Sequence, residues 1–538
     1  MSLECSYSVE YDFRSVNSTL VQQQQKQENQ EKQAVILSRP RSPAAVLACD
    51  DILDLPGHRE TSYFHHFQSH VRHILPGVSL PAVDTSPGLR YAVLCLSASN
   101  LSMLHAQVQS RVVTNTRRTV FSPLANTLHH TQARKYHDQA LWHCRNASPD
   151  ELKLQAPALL VAYVLLAYYH HASTNHLRFR LAVWDSVRFV AQQRASLANH
   201  PHQHHAVALQ MWYRLCASHR PAKPPALLLE GEGASSFGPN LFPDAHDNTL
   251  YLHCILGMSV DDLIYDILVK TIEIRSKFVL FRCVADRCGV SELSDRIGVL
   301  AHEVLNKMLA RPCVPDEYAE AQEGFVRGSH LLGLLDVQRD RLQVWKSRLH
   351  GHQLPGYISA ASWSTNPLEH RDAMNALYCV LCELVFEEAR IARSGQHPES
   401  QMDSLAHMLC QITRTIDLGK ALVSDVYTFS LAETLLQFVL LWRSDAIFHY
   451  ILDVLWACLE SRGRGYEHSH YPTHLVKRII AQVAVYWDLG RVVCLALPAA
   501  TEDISKLSLL DVERPIDVVV CGYHVKKGGH FIERISLP

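Results

Sequence analysis

Histidine is the residue type that most suggests chemistry in this sequence, which has 33 histidines among 538 residues. His66, His70 and His73 are spaced i, i+4 and i+7, which places three imidazoles on one face of a helix. Such a face could bind zinc or nickel. Phe64 and Phe67 belong to the same predicted helix. We therefore interpret the segment as a packed helix and predict no metal site there.

A second histidine group is predicted to lie in a loop, where it would chelate a metal only weakly: His200, His202, His204 and His205. The pair His302–Glu303 matches the first two residues of the H-E-x-x-H motif of zinc proteases. Asn306, however, occupies the position of the second histidine ligand. Cys379 and Cys382 share a helix face, and no second close pair completes a four-thiolate zinc site. We expect both cysteines to be structural.

Carboxylates suggest one enzymatic alternative. Asp50, Asp51 and Asp54 form a D-D-x-x-D pattern, which presents carboxylates one helical turn apart and can bind the magnesium ions that hold a diphosphate. A prenyl-diphosphate enzyme would need a second acidic motif, but Asp261, Asp262 and Asp266 occur without its hydroxyl and glutamate. We keep this enzyme class as a remote alternative.

Other catalytic patterns are missing from the sequence. There is no G-x-S-x-G nucleophile elbow and no phosphate-binding P-loop motif. The loose basic cluster that remains is typical of a solvated helix face: Arg111, Arg117, Arg118 and Arg134. We therefore predict no enzyme activity and name no catalytic, cofactor-binding or metal-binding residue.

Composition indicates a folded intracellular protein. The chain is 47% hydrophobic, and its 51 lysines and arginines nearly balance its 53 acidic residues, so it has no global basic field for nucleic acid. Its 15 scattered cysteines, without a secretion signal, indicate reduced thiols. The longest apolar run, Ala156 to Tyr169, has 14 residues. A membrane span needs about 20, so we predict a buried core helix and no membrane contact.

Two regions are predicted along the chain. Residues 1–58 form a disordered leader, because Gln22 to Gln33 is glutamine-rich and has no apolar residue to bury. Residues 59–538 form a helical body in two halves, joined by a loop at about 221–248 that is rich in proline and glycine. Shorter breaks are expected at 351–367, 394–400 and 463–472.

The predicted fold class is all-α, a multi-helix array of antiparallel helices with a short C-terminal β-hairpin. Helical periodicity is clear in three sets of apolar residues: Ala373, Leu377, Val380, Leu381, Leu384, Val385, Ala389; Phe448, Ile451, Leu452, Leu455, Leu459; and Leu331, Leu335, Leu342, Trp345, Leu349. Strand signal occurs only at the end, where Val518 to Val525 and His530 to Ile535 flank a Lys-Lys-Gly-Gly turn.

The order of the helical motifs resembles a known family. The motifs of the first half are Tyr63 to Phe67, Leu89 to Leu101, Lys135 to Leu141, Leu159 to His171 and Leu181 to Phe189. Those of the second half are Leu342 to Leu349 before Leu354-Pro355, Ala376 to Leu384, Trp442 to Tyr450 with Leu455, and Trp487. Together they resemble the regulatory domain of fungal-specific transcription factors of the zinc-cluster type.

The resemblance implies a nuclear regulator of RNA polymerase II transcription. Its partners would be the transcription machinery or other regulatory proteins, with a small-molecule effector as a further ligand. The six-cysteine element that holds two zinc ions and reads DNA in this family is not in the sequence, whose first 90 residues contain only Cys5 and Cys49. Zinc and DNA contact are thus expected only through a missing N-terminal domain or, for DNA, a partner.

The absence of the six-cysteine element from the sequence leaves two interpretations open within the family. Either the sequence lacks an N-terminal segment, or the protein is a relative that has lost the cluster. Outside the family, the alternative is a cytosolic helical interaction or scaffold protein unrelated to transcription.

Overall fold

Helices make up most of the part of the chain that the computed structural model describes. The described residues are 56–76, 86–104, 107–111, 120–124, 127–173, 176–198, 204–218, 257–290, 328–360, 369–394, 399–462, 473–498 and 516–537. The chain divides into two compact units, Met1–Arg59 and Glu60–Pro538. Nearly all of the described residues belong to the second unit. The predicted all-α class is confirmed.

The first half contains seven α-helices among its described residues: α1 (Pro56–His66), α2 (Pro87–Leu104), α3 (Thr127–Arg145), α4 (Pro149–Ala172), α5 (His176–Gln192), α6 (Arg194–Ala198) and α7 (His204–Ser218). A π-helical segment, Phe67–Val71, and one α-helical turn, Arg72–Ile74, continue α1. Helix α4 lies at the centre of this half, because it packs against α2, α5 and α7.

The second half begins with the 29-residue helix α8 (Val260–Cys288). It is followed by α9 (Gly328–Ser347), α10 (Pro355–Ala360), α11 (His370–Ser394), α12 (Glu399–Thr415), α13 (Leu418–Ser424), α14 (Leu431–Leu441), α15 (Asp445–His449), α16 (Trp456–Arg462) and α17 (Thr473–Asp488). Helix α8 packs against α9 and α11, and α11 also packs against α14. The predicted break at 351–367 is partly wrong, because it contains α10 and a short 3-10 turn, Gly351–Gln353.

A three-stranded antiparallel sheet closes the described chain, in the order β3 (Arg491–Pro498), β4 (Ile516–His524), β5 (His530–Leu537). The predicted hairpin is therefore confirmed as β4 and β5. Gly528 and Gly529 have φ of 65° and 78°, the left-handed conformation that this turn requires. Gly522 is also required, since a Cβ atom there would lie 1.9 Å from the Val492 carbonyl oxygen.

Strand β3 was not expected, and neither were two further strands. β1 (Gln107–Arg111) pairs with β2 (Val120–Leu124) in an antiparallel hairpin, so the prediction that strands occur only at the C-terminus is wrong. The first of these strands has few of the β-branched or aromatic residues by which strands are recognised in sequence.

The apolar run in α4 forms a core helix. Every side chain from Ala156 to Ala172 is buried. By length and composition α4 is the one described helix that could cross a membrane, yet 72% of its apolar window is buried inside the protein. Its apolar surface is thus buried against the neighbouring helices of the protein.

Candidate functional site

A small cleft lies between α7 and α8, close to the start of α8. Its space not filled by atoms is about 230 Å³. The lining residues are Gln210, Tyr213, Arg214 and Ala217 from α7, Asp262, Tyr265 and Asp266 from α8, and Met258 just before α8. That volume includes space open to solvent, and the enclosed part has room for about one water molecule, so a larger ligand could enter only if α7 and α8 moved apart.

The sequence around residue 260 starts a helix at the edge of this cleft. The Ser259 hydroxyl accepts a hydrogen bond from the Asp262 N–H, 3.1 Å away, and so caps the helix. Asp261 and Asp262 lie in the first turn, where carboxylates interact favourably with the helix dipole. At the other end Gly289, with φ of 68°, terminates the helix in a left-handed conformation.

Arg214 and Asp262 form the first ion pair of the cleft. Arg214 Nη1 donates to Asp262 Oδ1 at 2.6 Å, and both side chains are nearly buried. The Ser259 hydroxyl donates to the other carboxylate oxygen, Asp262 Oδ2, at 2.7 Å. Burial acts to lower the pKa of Arg214, but Asp262, together with Tyr265 and Tyr168, outweighs it, so the pKa is raised. The guanidinium is thus held charged at the wall of the cleft.

Asp266 is the centre of a second cluster, one helical turn further along α8. The Tyr213 hydroxyl donates to Asp266 Oδ1 at 3.0 Å, and Arg341 Nη2 donates to Oδ2 at 2.6 Å. Lys270 Nζ lies 3.2 Å from the same Oδ2 and donates to the Tyr213 oxygen at 2.9 Å. Asp266 is only 1% exposed, so a carboxylate there depends on these neighbours for its charge to be tolerated.

The ring of Tyr265 lies against the Arg214 guanidinium. The guanidinium carbon lies 4.0 Å from the centre of the Tyr265 ring, a cation–π contact. Burial raises the pKa of Tyr168 to about 12 and that of Tyr265 further, so both hydroxyls stay protonated. Arg214 Nη2 also donates to the Thr428 hydroxyl at 3.3 Å, which connects the cleft to the segment before α14.

A third acidic residue connects the cleft to α11. Asp261 Oδ1 accepts from the Asn375 amide at 2.6 Å, and Asp261 Oδ2 accepts from Arg371 at 3.2 Å. On the same helix, His370 Nε2 lies 2.7 Å from Asp425 Oδ1. The start of α8 is therefore held by charged and polar contacts to α7, α9 and α11.

The side chains of the cleft have the chemistry to recognise a small polar molecule in place of one another. The guanidinium offers paired donors that match a carboxylate, and the aspartates offer acceptors for an amine or hydroxyl. A ligand carrying both kinds of group would exchange the ion pairs of the cleft for its own.

The histidines singled out by spacing do not form a metal site in the structure. His66 Nε2 donates to Asn100 Oδ1 at 2.9 Å, and its ring lies 5.2 Å from that of His70. Burial, together with His73, lowers the pKa of His70. Within the described residues, no group of three or more His, Cys, Asp or Glu side chains is arranged to hold a metal ion.

Cys379 and Cys382 are both fully buried on α11. Burial raises the pKa of both thiols, that of Cys382 to about 12, so neither is a reactive thiolate.

Other predicted features lie outside the described residues: residues 1–55 of the leader predicted as 1–58, with Asp50, Asp51 and Asp54, the loop 221–248, the His302–Glu303 pair, Arg117, Arg118, His200 and His202. Residues 56–58, predicted to belong to the disordered leader, instead begin α1. His204 and His205, expected in a loop, instead begin α7. Arg111 lies in β1 and Arg134 is exposed on α3.

Most residues of the cleft were missed by sequence reasoning. Asp261, Asp262 and Asp266 were considered only as a failed magnesium motif. Asp266 and Lys270, spaced i, i+4, resemble an ordinary exposed helix pair. The available signal was that these charges interrupt a helix that is otherwise apolar on every side, as the buried residues of α8 show.

Compared with known proteins, the chain matches no protein-family model, no curated protein and no solved structure. A proposal about function therefore depends on the geometry of the cleft and on the order of the helical motifs.

Proposed function

We propose that this protein is a nuclear transcriptional regulator of the zinc-cluster type, whose helical body binds a small polar effector in the cleft between α7 and α8. It would act on RNA polymerase II transcription through the transcription machinery or other regulatory proteins. Contact with DNA would come from a partner or from a zinc-cluster segment that the sequence does not contain.

One observation carries the effector part of the proposal. A buried guanidinium and two carboxylates, Arg214, Asp262 and Asp266, line this cleft beside an opening to solvent. Buried ion pairs seldom add net stability over well-packed apolar residues. Retaining them beside an opening is consistent with a role in recognition.

The same contacts suggest how binding would be transmitted. Arg214 reaches Asp262 on α8 and Thr428 before α14, so a ligand that binds Arg214 competes with contacts between two helices. A ligand that prefers one packing of these helices over another shifts the population toward it. The surface presented to a partner protein would change accordingly.

The transcriptional part is tested by fusing the whole chain to a heterologous DNA-binding domain beside a reporter gene. We expect the fusion to change reporter output relative to the DNA-binding domain alone, and we expect the untagged protein to be enriched in nuclei. An unchanged reporter together with a cytosolic distribution would overturn the proposal and favour the scaffold alternative.

The effector part is tested by thermal shift with a panel of amino acids and small dicarboxylic acids. A ligand that binds only the folded state raises the melting temperature. Arg214→Lys keeps the charge but loses the paired donors, so the shift should disappear. Arg371→Lys is the matched control, since Arg371 also pairs with an aspartate of this helix end but is exposed. A shift that survives R214K would place the ligand elsewhere.

A further inference from the structure

Two helices of the first half expose large apolar side chains beside arginines. On α3, Trp142 is 61% exposed. On α5, Leu181 is 56% and Trp184 39% exposed. Isolated exposed apolar residues are common, but a group of them on one surface marks a contact surface more often.

Each group follows one helix face. Arg134, Asp138, Trp142 and Arg145 are spaced i, i+4, i+8 and i+11 along α3, and all four are exposed. On α5 the spacing of Leu181, Trp184 and Arg188 is i, i+3 and i+7, and these three are also exposed. Residues at such intervals lie on the same side of a helix.

An ion-pair cluster brings the two faces together. Arg145 Nη2 at the end of α3 lies 3.5 Å from Asp185 Oδ2 on α5. Arg188 pairs with the same carboxylate. Trp142 precedes Arg145 by three residues, and Leu181 precedes Asp185 by four, so both apolar side chains flank this cluster. Both helices also pack on α4, which lies beneath them.

The combined surface has an excess of positive charge. Two acidic side chains lie on these faces, Asp138 and Asp185. The cations that are exposed on the two helices outnumber them: Arg134, Lys135, Arg145, Arg178 and Arg188. We call this surface, defined by Arg134, Trp142, Arg145, Leu181, Trp184 and Arg188, the Trp–Arg face.

We propose that the Trp–Arg face is a docking site for an acidic segment of a partner protein that carries apolar side chains at helical spacing. The apolar residues of the segment would cover Trp142, Leu181 and Trp184, and its carboxylates would pair with the surrounding arginines. Exposed arginine and tryptophan are the residue types that most often dominate binding energy at protein interfaces.

A protein partner fits this face better than nucleic acid does. Asp138 and Asp185 lie among the cations, where they would repel a phosphate backbone. Leu181 offers no ring on which a base could stack. A peptide meets both conditions, because it pairs charges one at a time and contributes apolar side chains.

This inference rests on the proposed function, since it names the kind of partner through which the regulator would act. It is tested with the purified full-length chain and a fluorescein-labelled peptide in which Glu and Asp alternate with Leu and Phe at i, i+3, i+4 and i+7. Fluorescence polarisation measures binding. We expect binding that weakens as salt is added, because exposed charges are screened.

The double variant W142A/L181A should weaken binding about tenfold or more, because it removes two apolar contacts while leaving the ion-pair cluster in place. Y357A/L489A is the matched control, since Tyr357 and Leu489 are 57% and 68% exposed on other helices or turns. It should bind as the wild type does. R134E/K135E tests the charge separately and should also weaken binding, without touching the core.

Three results would overturn the inference: no binding by the wild type, an equal loss in the Y357A/L489A control, or tighter binding of a labelled single-stranded oligonucleotide than of the peptide. The reporter assay is independent of this one. If the peptide binds but the reporter output does not change, the docking face is retained and the transcriptional role is rejected. If the reporter output changes but the peptide does not bind, only the docking face is rejected.

Discussion

Helices α4 and α8 are both buried, yet they are held in opposite ways. From Ala156 to Ala172, α4 buries every side chain and contains no Asp, Glu, Lys or Arg among them. Helix α8 buries Asp266, Lys270, Glu273, Arg275 and Lys277 among its apolar residues. Burial of α4 depends on removing apolar surface from water, whereas burial of α8 depends in addition on each charge meeting its partner.

The difference determines where the fold can respond to its surroundings. A helix held by apolar contacts is insensitive to salt and polar ligands, because neither changes its contacts directly, and α4 responds to pH only through buried histidine, as at His170. A helix held by ion pairs changes its stability when a partner is removed, titrated or replaced by a ligand. The cleft lies along α8. The candidate site is therefore on the helix whose stability depends on ion pairs, and not on α4, which is held by apolar contacts.

The largest expected effect comes from removing the partner of Arg275. This guanidinium is 1% exposed and binds Glu388 through Nε and Nη2, at 2.5 and 2.9 Å. Glu388→Ala leaves the cation unpaired in the interior and should lower the free energy of unfolding by about 3–5 kcal/mol, measured by urea denaturation. Glu387→Ala, whose partner Arg390 is exposed, should cost less than about 1 kcal/mol. If E388A and E387A lowered the free energy of unfolding equally, the buried ion pair of α8 would be no more important than an exposed one.

A cavity in α4 should cost somewhat less and behave differently. Leu165 is fully buried, so Leu165→Ala should lower the free energy of unfolding by about 3 kcal/mol. Its cost should not change with salt, since no charge is involved. Leu154→Ala on the same helix is the control, because Leu154 is 73% exposed. If the loss of unfolding free energy in L165A varied with salt as strongly as the loss in E388A, α4 and α8 would not differ in how they are held.

The N-caps of the two helices allow a smaller, paired test. Ser148 caps α4 in a capping box with Glu151, and Ser259 caps α8 while also binding the Asp262 carboxylate. Ser148→Ala and Ser259→Ala should each cost about 1 kcal/mol. Only S259A disturbs the partner of Arg214, so only S259A should alter the thermal shift with a ligand of the cleft. An altered shift in S148A would contradict this assignment.

Two buried histidine sites should give the smallest effect, with opposite signs. Burial acts to lower the pKa of His370, but Asp425 outweighs it and the pKa is raised. The contribution of His370 is therefore present below the unfolded-state pKa of 6.5 and lost as pH rises through the folded value. His370→Gln should destabilise the protein by less than about 1 kcal/mol near about pH 6 and by less again as pH rises.

His170, on α4, behaves in the opposite way. Its Nε2 lies 3.0 Å from His137 Nε2, and burial, with His137 and Arg178, lowers its pKa well below 6.5. The folded state therefore holds this imidazole neutral, and stability is lost as pH falls below 6.5. His170→Asn should reduce that loss. Urea denaturation at several pH values measures both variants, and pH slopes of the same sign would contradict the assignment.

Much of the fold could be predicted because apolar periodicity is a local property. The α11 set from Ala373 to Ala389 is buried as its spacing indicates, and the glycine turn of the final hairpin lies where expected. Strand β3 was missed. Its apolar stretch, from Val492 to Leu497, is short and follows α17 directly, and such a run does not distinguish a strand from the end of a helix.

The candidate site could not be predicted in the same way. Arg214, Asp262 and Arg341 come from three helices, and their proximity depends on how those helices pack. In sequence, Asp266 and Lys270 look like a solvent-exposed pair, since spacing alone does not tell which face of a charged helix is covered. Only the packing of α7 and α9 on α8 buries this i, i+4 pair and places Asp266 in the lining of the cleft.

Arg275 also bears on how the chain reaches its folded state. Its contacts reach Glu388, the Leu440 carbonyl and the Cys494 carbonyl, which are 113, 165 and 219 residues further along the chain. Contacts of such long range require large loops to close and are typical of late steps in folding. Interactions absent from the transition state govern the unfolding rate rather than the folding rate. We therefore expect this one side chain to slow unfolding rather than to speed folding.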